Sequence, residues 1–133
     1  MKTVRHQKDV IETKSAYISR VDNDTLTVIL KPGALVTTKE YNGFEEKYYE
    51  LMGRKDKFKF LVIVQEGAKV EKRYIDYFSR DYKTTYKKAE AYMVVSPLAR
   101  MFLKILVKIV DNKYPVRLFN HEKEALDWLS TIK

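Results

Sequence analysis

From Ala16 to Leu30 the chain concentrates Tyr, Ile, Val, Leu and Thr into two short runs, Ala16–Arg20 and Thr25–Leu30. The polar turn Val21-Asp22-Asn23-Asp24 separates them, so the pair predicts a β-hairpin. Lys31-Pro32-Gly33 ends the second strand. The period then changes. Tyr41, Phe44, Tyr48 and Leu51 recur at three- and four-residue spacing, which predicts a helix running to Met52 with those residues facing the core. Thr37 with Glu40 makes a capping box at its start, and Gly53 is placed to end it. Gly43, inside the helix, costs about 1 kcal/mol relative to alanine.

Phe58–Val64 (FKFLVIV) is a continuous apolar run rich in β-branched residues, which predicts a central strand covered on both faces and paired in parallel. After Glu66-Gly67-Ala68 a second helix is expected over roughly Val70 to Arg80, with Val70, Tyr74, Tyr77 and Phe78 inward. Ala91–Val95 predicts a further buried strand and Pro115–Phe119 a last one. Asn120 is expected to cap a closing helix with Ala125, Leu126, Leu129 and Ile132 inward. Residues 1–14 are polar and unpatterned and read as a loose tail before one domain over 15–133. The expected fold is α/β: a mostly parallel five-stranded sheet, an antiparallel hairpin at its start and four helices.

The segment Ser96–Val110 (SPLARMFLKILVKIV) stands apart. Ser96 at the N-cap and Pro97 at the first turn are start signals, and from Leu98 onward only Arg100, Lys104 and Lys108 are polar. Four residues advance a helix by about 400°, so the three bases form one narrow stripe on an otherwise apolar rod. Three roles fit: a helix buried between layers with the bases snorkelling outward, a homodimer seam, or a surface that meets anions or lipid. At about 21 Å the helix suits lying along a surface rather than crossing one. The apolar flank residues Phe102 and Ile109, with Arg100, Lys104 and Lys108, are therefore the candidate interface.

Composition narrows the chemistry. There is no cysteine, which excludes disulfides and thiolate sites and fits a reducing cytoplasm. His6 and His121 are far apart, so no histidine-rich metal site is expected. The opening MKTVRHQKDVIETK has no apolar core of the secretory-signal kind, and no apolar run approaches the roughly 20 residues of a membrane span. The net charge is +8, and residues 51–110 hold the whole excess, fourteen basic against six acidic side chains. Lys72, Arg73, Arg80, Lys83, Lys87 and Lys88 are its candidate basic patch, interleaved with Tyr74, Tyr77, Tyr82 and Tyr86 in a manner that can stack and neutralise single-stranded nucleic acid. No RNP-like, KH or helix-turn-helix pattern accompanies them, so weak non-specific binding to anions is the expectation. Glu45 and Glu46 are adjacent on a helix and diverge by about 100°, so they are no acid/base pair. No phosphate loop is present and no catalytic set, metal or cofactor is expected.

The element order and several motifs resemble the STAS domain, the SpoIIAA-like fold, and more closely an uncharacterised bacterial branch of it. The carrying residues are Lys31-Pro32-Gly33, Val36-Thr37, Ser96-Pro97-Leu98, Pro115-Val116-Arg117-Leu118-Phe119 and Glu124-Ala125-Leu126-Asp127-Trp128-Leu129, over about residues 15–132. The resemblance implies a small non-enzymatic protein-interaction module of a bacterial cytoplasm, as a homodimer or with another bacterial protein. The family's known switch is a phosphorylated serine at the start of the second helix. Here no Ser or Thr occurs between Thr38 and Ser79, so the loop Gly67–Arg73 has no serine or threonine hydroxyl to modify. A basic-surface binder of anionic lipid or nucleic acid is the alternative.

Overall fold

The structure, a computed structural model, describes residues 9–71, 86–110 and 114–133, leaving aside the side chains of Val70, Phe102, Leu106, Val107, Ile109 and Val110. Its elements are β1 (Val10–Glu12), β2 (Ala16–Arg20), β3 (Thr25–Leu30), β4 (Leu35–Val36), α1 (Thr38–Met52), β5 (Phe58–Val64), β6 (Lys69–Val70), β7 (Lys87–Val94), α2 (Pro97–Val110), β8 (Val116–Phe119) and α3 (Glu122–Ser130). The main sheet has the order β1-β2-β3-β5-β7-β8. Its first two pairings are antiparallel and the other three parallel. A second, two-stranded parallel sheet joins β4 to β6.

The hairpin, the central parallel strand, the first helix and the closing helix stand where the apolar pattern puts them. Three expectations change. The sheet has six strands instead of five, because Val10–Glu12 of the supposed tail pairs with Tyr17–Ser19. An edge strand of three residues, Val-Ile-Glu, bonds to the sheet on one side only and is too short to show the period-two alternation that marks a strand. Val70, expected to begin a helix, instead belongs with Lys69 to a strand that pairs with Leu35–Val36. The rest of the expected helix lies outside the described residues, which contain three helices. Lastly, His121 rather than Asn120 occupies the N-cap of α3, and its side chain makes no capping bond.

Alternation along the strands divides the core. One face presents Ile18, Leu26, Val28, Phe60, Val62 and Tyr92, and is covered by α1 and by Leu103 of α2. The other presents Leu61, Ala89, Ala91 and Phe119 to Ala125 and Leu129 of α3. Three alanines at that contact let the helix lie close to the sheet. Tyr48 of α1 packs its ring 4.7 Å from that of Phe60 and 5.6 Å from that of Tyr86.

The ends of α1 are tied down on both sides. Thr37 Oγ1 accepts the Glu40 N–H at 3.1 Å, and the Gly53 N–H closes the C-terminus onto Tyr49 O at 2.8 Å with φ +73°. Only half of the expected capping box forms. The Glu40 carboxylate turns to the β1–β2 turn, where it accepts from Ser15 N–H (2.9 Å), Ser15 Oγ (2.7 Å) and Thr13 Oγ1 (3.0 Å). Three donors hold a charged acceptor better than the single backbone N–H of a capping box. At the carboxyl ends of β3 and β5 two loops touch. Gly33 N–H donates to Glu66 O at 2.9 Å, and both Gly33 and Gly67 have positive φ, +72° and +78°. A β-carbon on Gly67 would lie 3.2 Å from Gly33 Cα.

Candidate functional site: an apolar cavity over a buried Lys–Glu–Tyr cage

β7 starts four residues before the apolar run that marks it in the sequence. It can do so because of a bulge. Phe58 pairs with Lys87 and Lys59 with Ala89, so Lys88 is the extra residue. In a regular strand positions 87 and 90 point to opposite faces. The bulge brings both to the face under α1, where Lys87 Nζ lies 2.8 Å from Glu90 Oε2 with side chains only 1% and 3% exposed.

Tyrosines surround the pair. Tyr92 Oη and Tyr114 Oη both donate to Glu90 Oε1, at 2.9 and 2.7 Å. The Lys87 ammonium stands 5.1 Å from the ring centre of Tyr41 and 5.7 Å from those of Tyr86 and Tyr114. Tyr86 Oη donates to Tyr41 Oη at 2.8 Å. The cage thus carries one positive and one negative charge set against each other at 2.8 Å, and its net charge is zero.

Above Glu90 and Tyr92 a cavity of about 530 Å³ opens between the sheet, α1 and α2. Its floor is Val28, Val62 and Val64, and Phe44 and Tyr48 form one wall. On the α2 side it is lined by Leu98, Met101 and Ile105. These three are 76%, 62% and 57% exposed, so they belong to the mouth as much as to the wall. They fall within about 60° of one another around the helix, and Val95 adds a further exposed apolar side chain just before it. Lys69, exposed, is the charged side chain at the rim and makes no ion pair among the described residues.

The start of α2 follows the sequence. Ser96 Oγ accepts the Ala99 N–H at 3.4 Å, and Pro97 is the first helical residue. Of the candidate interface, Lys104 and Lys108 are exposed and flank the Leu98–Met101–Ile105 stripe. Arg100 is half-buried, and its Nη1 is buried with no hydrogen bond among the described residues. The side chains of Phe102 and Ile109 lie outside the described residues. Periodicity shows that the helix is apolar but not which flank its neighbours cover, so the sequence does not distinguish Leu98, Met101 and Ile105 from Phe102 and Ile109.

The candidate basic patch is corrected at its described members. Lys87 is inside the protein, in the cage. Lys88 is half-buried and reaches Asp24 at 3.2 Å, beside Lys59 at 3.4 Å from the same carboxylate. Tyr86, expected beside the bases as a stacking ring, is core. A lysine reads as a solvent marker in sequence, and nothing local shows that a bulge will give it a carboxylate. Lys72, Arg73, Arg80 and Lys83, with Tyr74, Tyr77 and Tyr82, lie outside the described residues.

A family model described as a domain of unknown function (DUF7793) matches residues 19–133. The chain belongs to the DUF7793 family. Its fold is shared with an uncharacterised protein of the DUF3478 family from Shewanella loihica PV-4, whose crystal structure is described as SpoIIAA-like. The TM-score is 0.55 at 13% identity, over 97% of this chain and 98% of that one. At that identity the likeness shows the fold alone. The DUF7793 chain is thus SpoIIAA-like, as its motifs imply. No curated protein matches it. Among the described residues no helix is long and apolar enough to cross a membrane.

Proposed function

We propose that this DUF7793 chain is a non-catalytic interaction module that self-associates through the outward flank of α2. One observation carries the reading: Leu98, Met101 and Ile105 form an exposed apolar stripe on a 14-residue helix. Water around such a stripe is released when a second copy covers it. Burying what is exposed of each side chain contributes about 1–2 kcal/mol. Across a two-fold seam this roughly matches the 4–15 kcal/mol lost in association, so a weak, concentration-dependent dimer is expected. Lys104 and Lys108 border the stripe, at the rim of the seam, where water and salt screen them.

The cage supports a structural reading of the buried charges, since Lys87 and Glu90 are spent on each other and on tyrosines. The loop at Gly67 offers no serine or threonine, so docking works without a phosphoserine switch. Sedimentation across a concentration series tests the proposal. Self-association that persists in high salt, and is lost in a folded Ile105→Asp variant, is the expected result. A wild type that stays monomeric at millimolar concentration overturns it. Association that high salt abolishes favours the anionic-surface alternative.

A further inference from the structure

We propose that the cavity between the sheet, α1 and α2 binds a single-chain amphiphile with an anionic head, of the fatty-acid class, with its hydrocarbon between the layers and its carboxylate at Lys69. The inference goes beyond docking and does not depend on it.

Size, lining and charge each bear on the ligand. A volume of about 530 Å³ falls within the range of roughly 300–1,000 Å³ typical of small-molecule sites. The inner walls are aliphatic and aromatic. Among the described residues the one charged group at their depth is Glu90, which already accepts two tyrosine hydroxyls and faces Lys87, so its carboxylate is occupied. A ligand that carried a charge inward would lose its hydration with nothing to replace it. Hydrocarbon meets no such cost. The mouth is different. Lys69 stands there exposed and without an acidic partner among the described residues, at the start of β6, just after the loop that the Gly33–Gly67 contact holds in place. Of the exposed lysines, Lys69 is the one that lines the cavity itself, whereas Lys104 and Lys108 lie outside the lining, so a carboxylate at the mouth can pair with the Lys69 ammonium without leaving the cavity. The long, open side along Leu98, Met101 and Ile105 suits one extended chain entering lengthwise.

Titration of the full chain with cis-parinaric acid, read by fluorescence, tests this. Binding should saturate at one probe per chain, and oleate should displace it. Across a series of saturated fatty acids the affinity should rise about fourfold per methylene and then level off once the chain outgrows the cavity. Methyl oleate should compete about two- to fivefold less well than oleate, and Lys69→Gln should abolish that difference. Ala99→Phe, which adds bulk to the wall, should weaken both ligands. Met101→Asp, at an exposed position that the fold tolerates, should weaken oleate more than its ester. Phosphatidylglycerol vesicles supply the same chemistry from a bilayer. Binding to vesicles without saturable fatty-acid binding overturns the proposal, as does a chain-length series with no plateau or a Met101→Asp variant that binds oleate like wild type. Both readings use Leu98, Met101 and Ile105, so the titrations are run below the chain concentration at which sedimentation detects self-association, where failure of either reading is separable from failure of the other.

Discussion

Replacing Glu90 by Gln tests the cage directly. Gln is nearly isosteric and keeps a carbonyl oxygen for Tyr92 and Tyr114, so packing and two hydrogen bonds survive in weaker, uncharged form. What disappears is the negative charge 2.8 Å from the Lys87 ammonium, at a site where both side chains are almost wholly buried. Removing one partner of a buried pair strands the other, at a cost of about 3–5 kcal/mol. That is a large share of the 5–15 kcal/mol by which domains of this size are stable. Lys87→Met should cost less, about 2–3 kcal/mol, because Glu90 keeps two tyrosine donors. The double variant removes both charges together, so it should be less destabilised than the two singles added, by a coupling energy of about 2 kcal/mol or more. Urea unfolding followed by circular dichroism gives all four stabilities, with unchanged m-values as the check on comparability. Strict additivity, or a Glu90→Gln variant within about 0.5 kcal/mol of wild type, would refute the claim that the two charges are set against each other.

Gly67→Ala should cost about 1–3 kcal/mol, because alanine must adopt φ +78° and meet the Gly33 backbone at 3.2 Å; a melting temperature unchanged within a degree would contradict the loop contact. Glu40→Ala should lose about 1–2 kcal/mol by removing the charged acceptor, since Ser15 N–H then keeps only its longer bond to Thr13 Oγ1 and Ser15 Oγ only its longer bond to Leu35 O, both 3.3 Å; it should raise amide exchange at Ser15 selectively. The Lys57 N–H, and after it the Arg54 side chain, hold the Asp56 carboxyl below the usual carboxylate range. A group lowered in this way adds stability above its unfolded value and loses it as pH falls through the folded one. Asp56 is fully exposed, so an NMR titration should show the low midpoint while the pH-dependence of folding barely registers it.

The parts legible in the sequence are those whose signal is local. Tyr41, Phe44, Tyr48 and Leu51 mark α1 by spacing, Phe58–Val64 marks the central strand by unbroken apolarity, and Ser96-Pro97 marks the start of α2. Each turns on residues within one turn or one strand of each other. The cage is non-local. It needs a one-residue slip at Lys88 and tyrosines 86, 92 and 114 brought together with Tyr41, 45 residues before Tyr86. The Lys87-Lys88 pair therefore reads as surface, although Lys87 is as deeply buried as the tyrosine before it. β1 is hidden for another reason. Three residues are too few for alternation to show, and the backbone groups that pair it to β2 are the same in every sequence.

The Tyr114–Glu90 bond also bears on how the molecule comes apart. β8 is four residues long, at one edge of the sheet, and pairs with β7 alone. Short edge strands are ordinarily the first to peel. Tyr114 sits just before β8, and its hydroxyl is fastened to a carboxylate on β7 at 2.7 Å, inside the core. Peeling that began at the amino-terminal side would have to pull a buried phenol out of its hydrogen bond before it freed a single ladder pair. At the other side Phe119 packs on the ring of Trp128, 5.6 Å away, and so on α3. Each end of β8 is thus latched to a different layer. The edge opens only when one of those layers does, so the β8 amides that bond to β7 should exchange as slowly as the strand they lean on, while the outward-facing ones exchange freely.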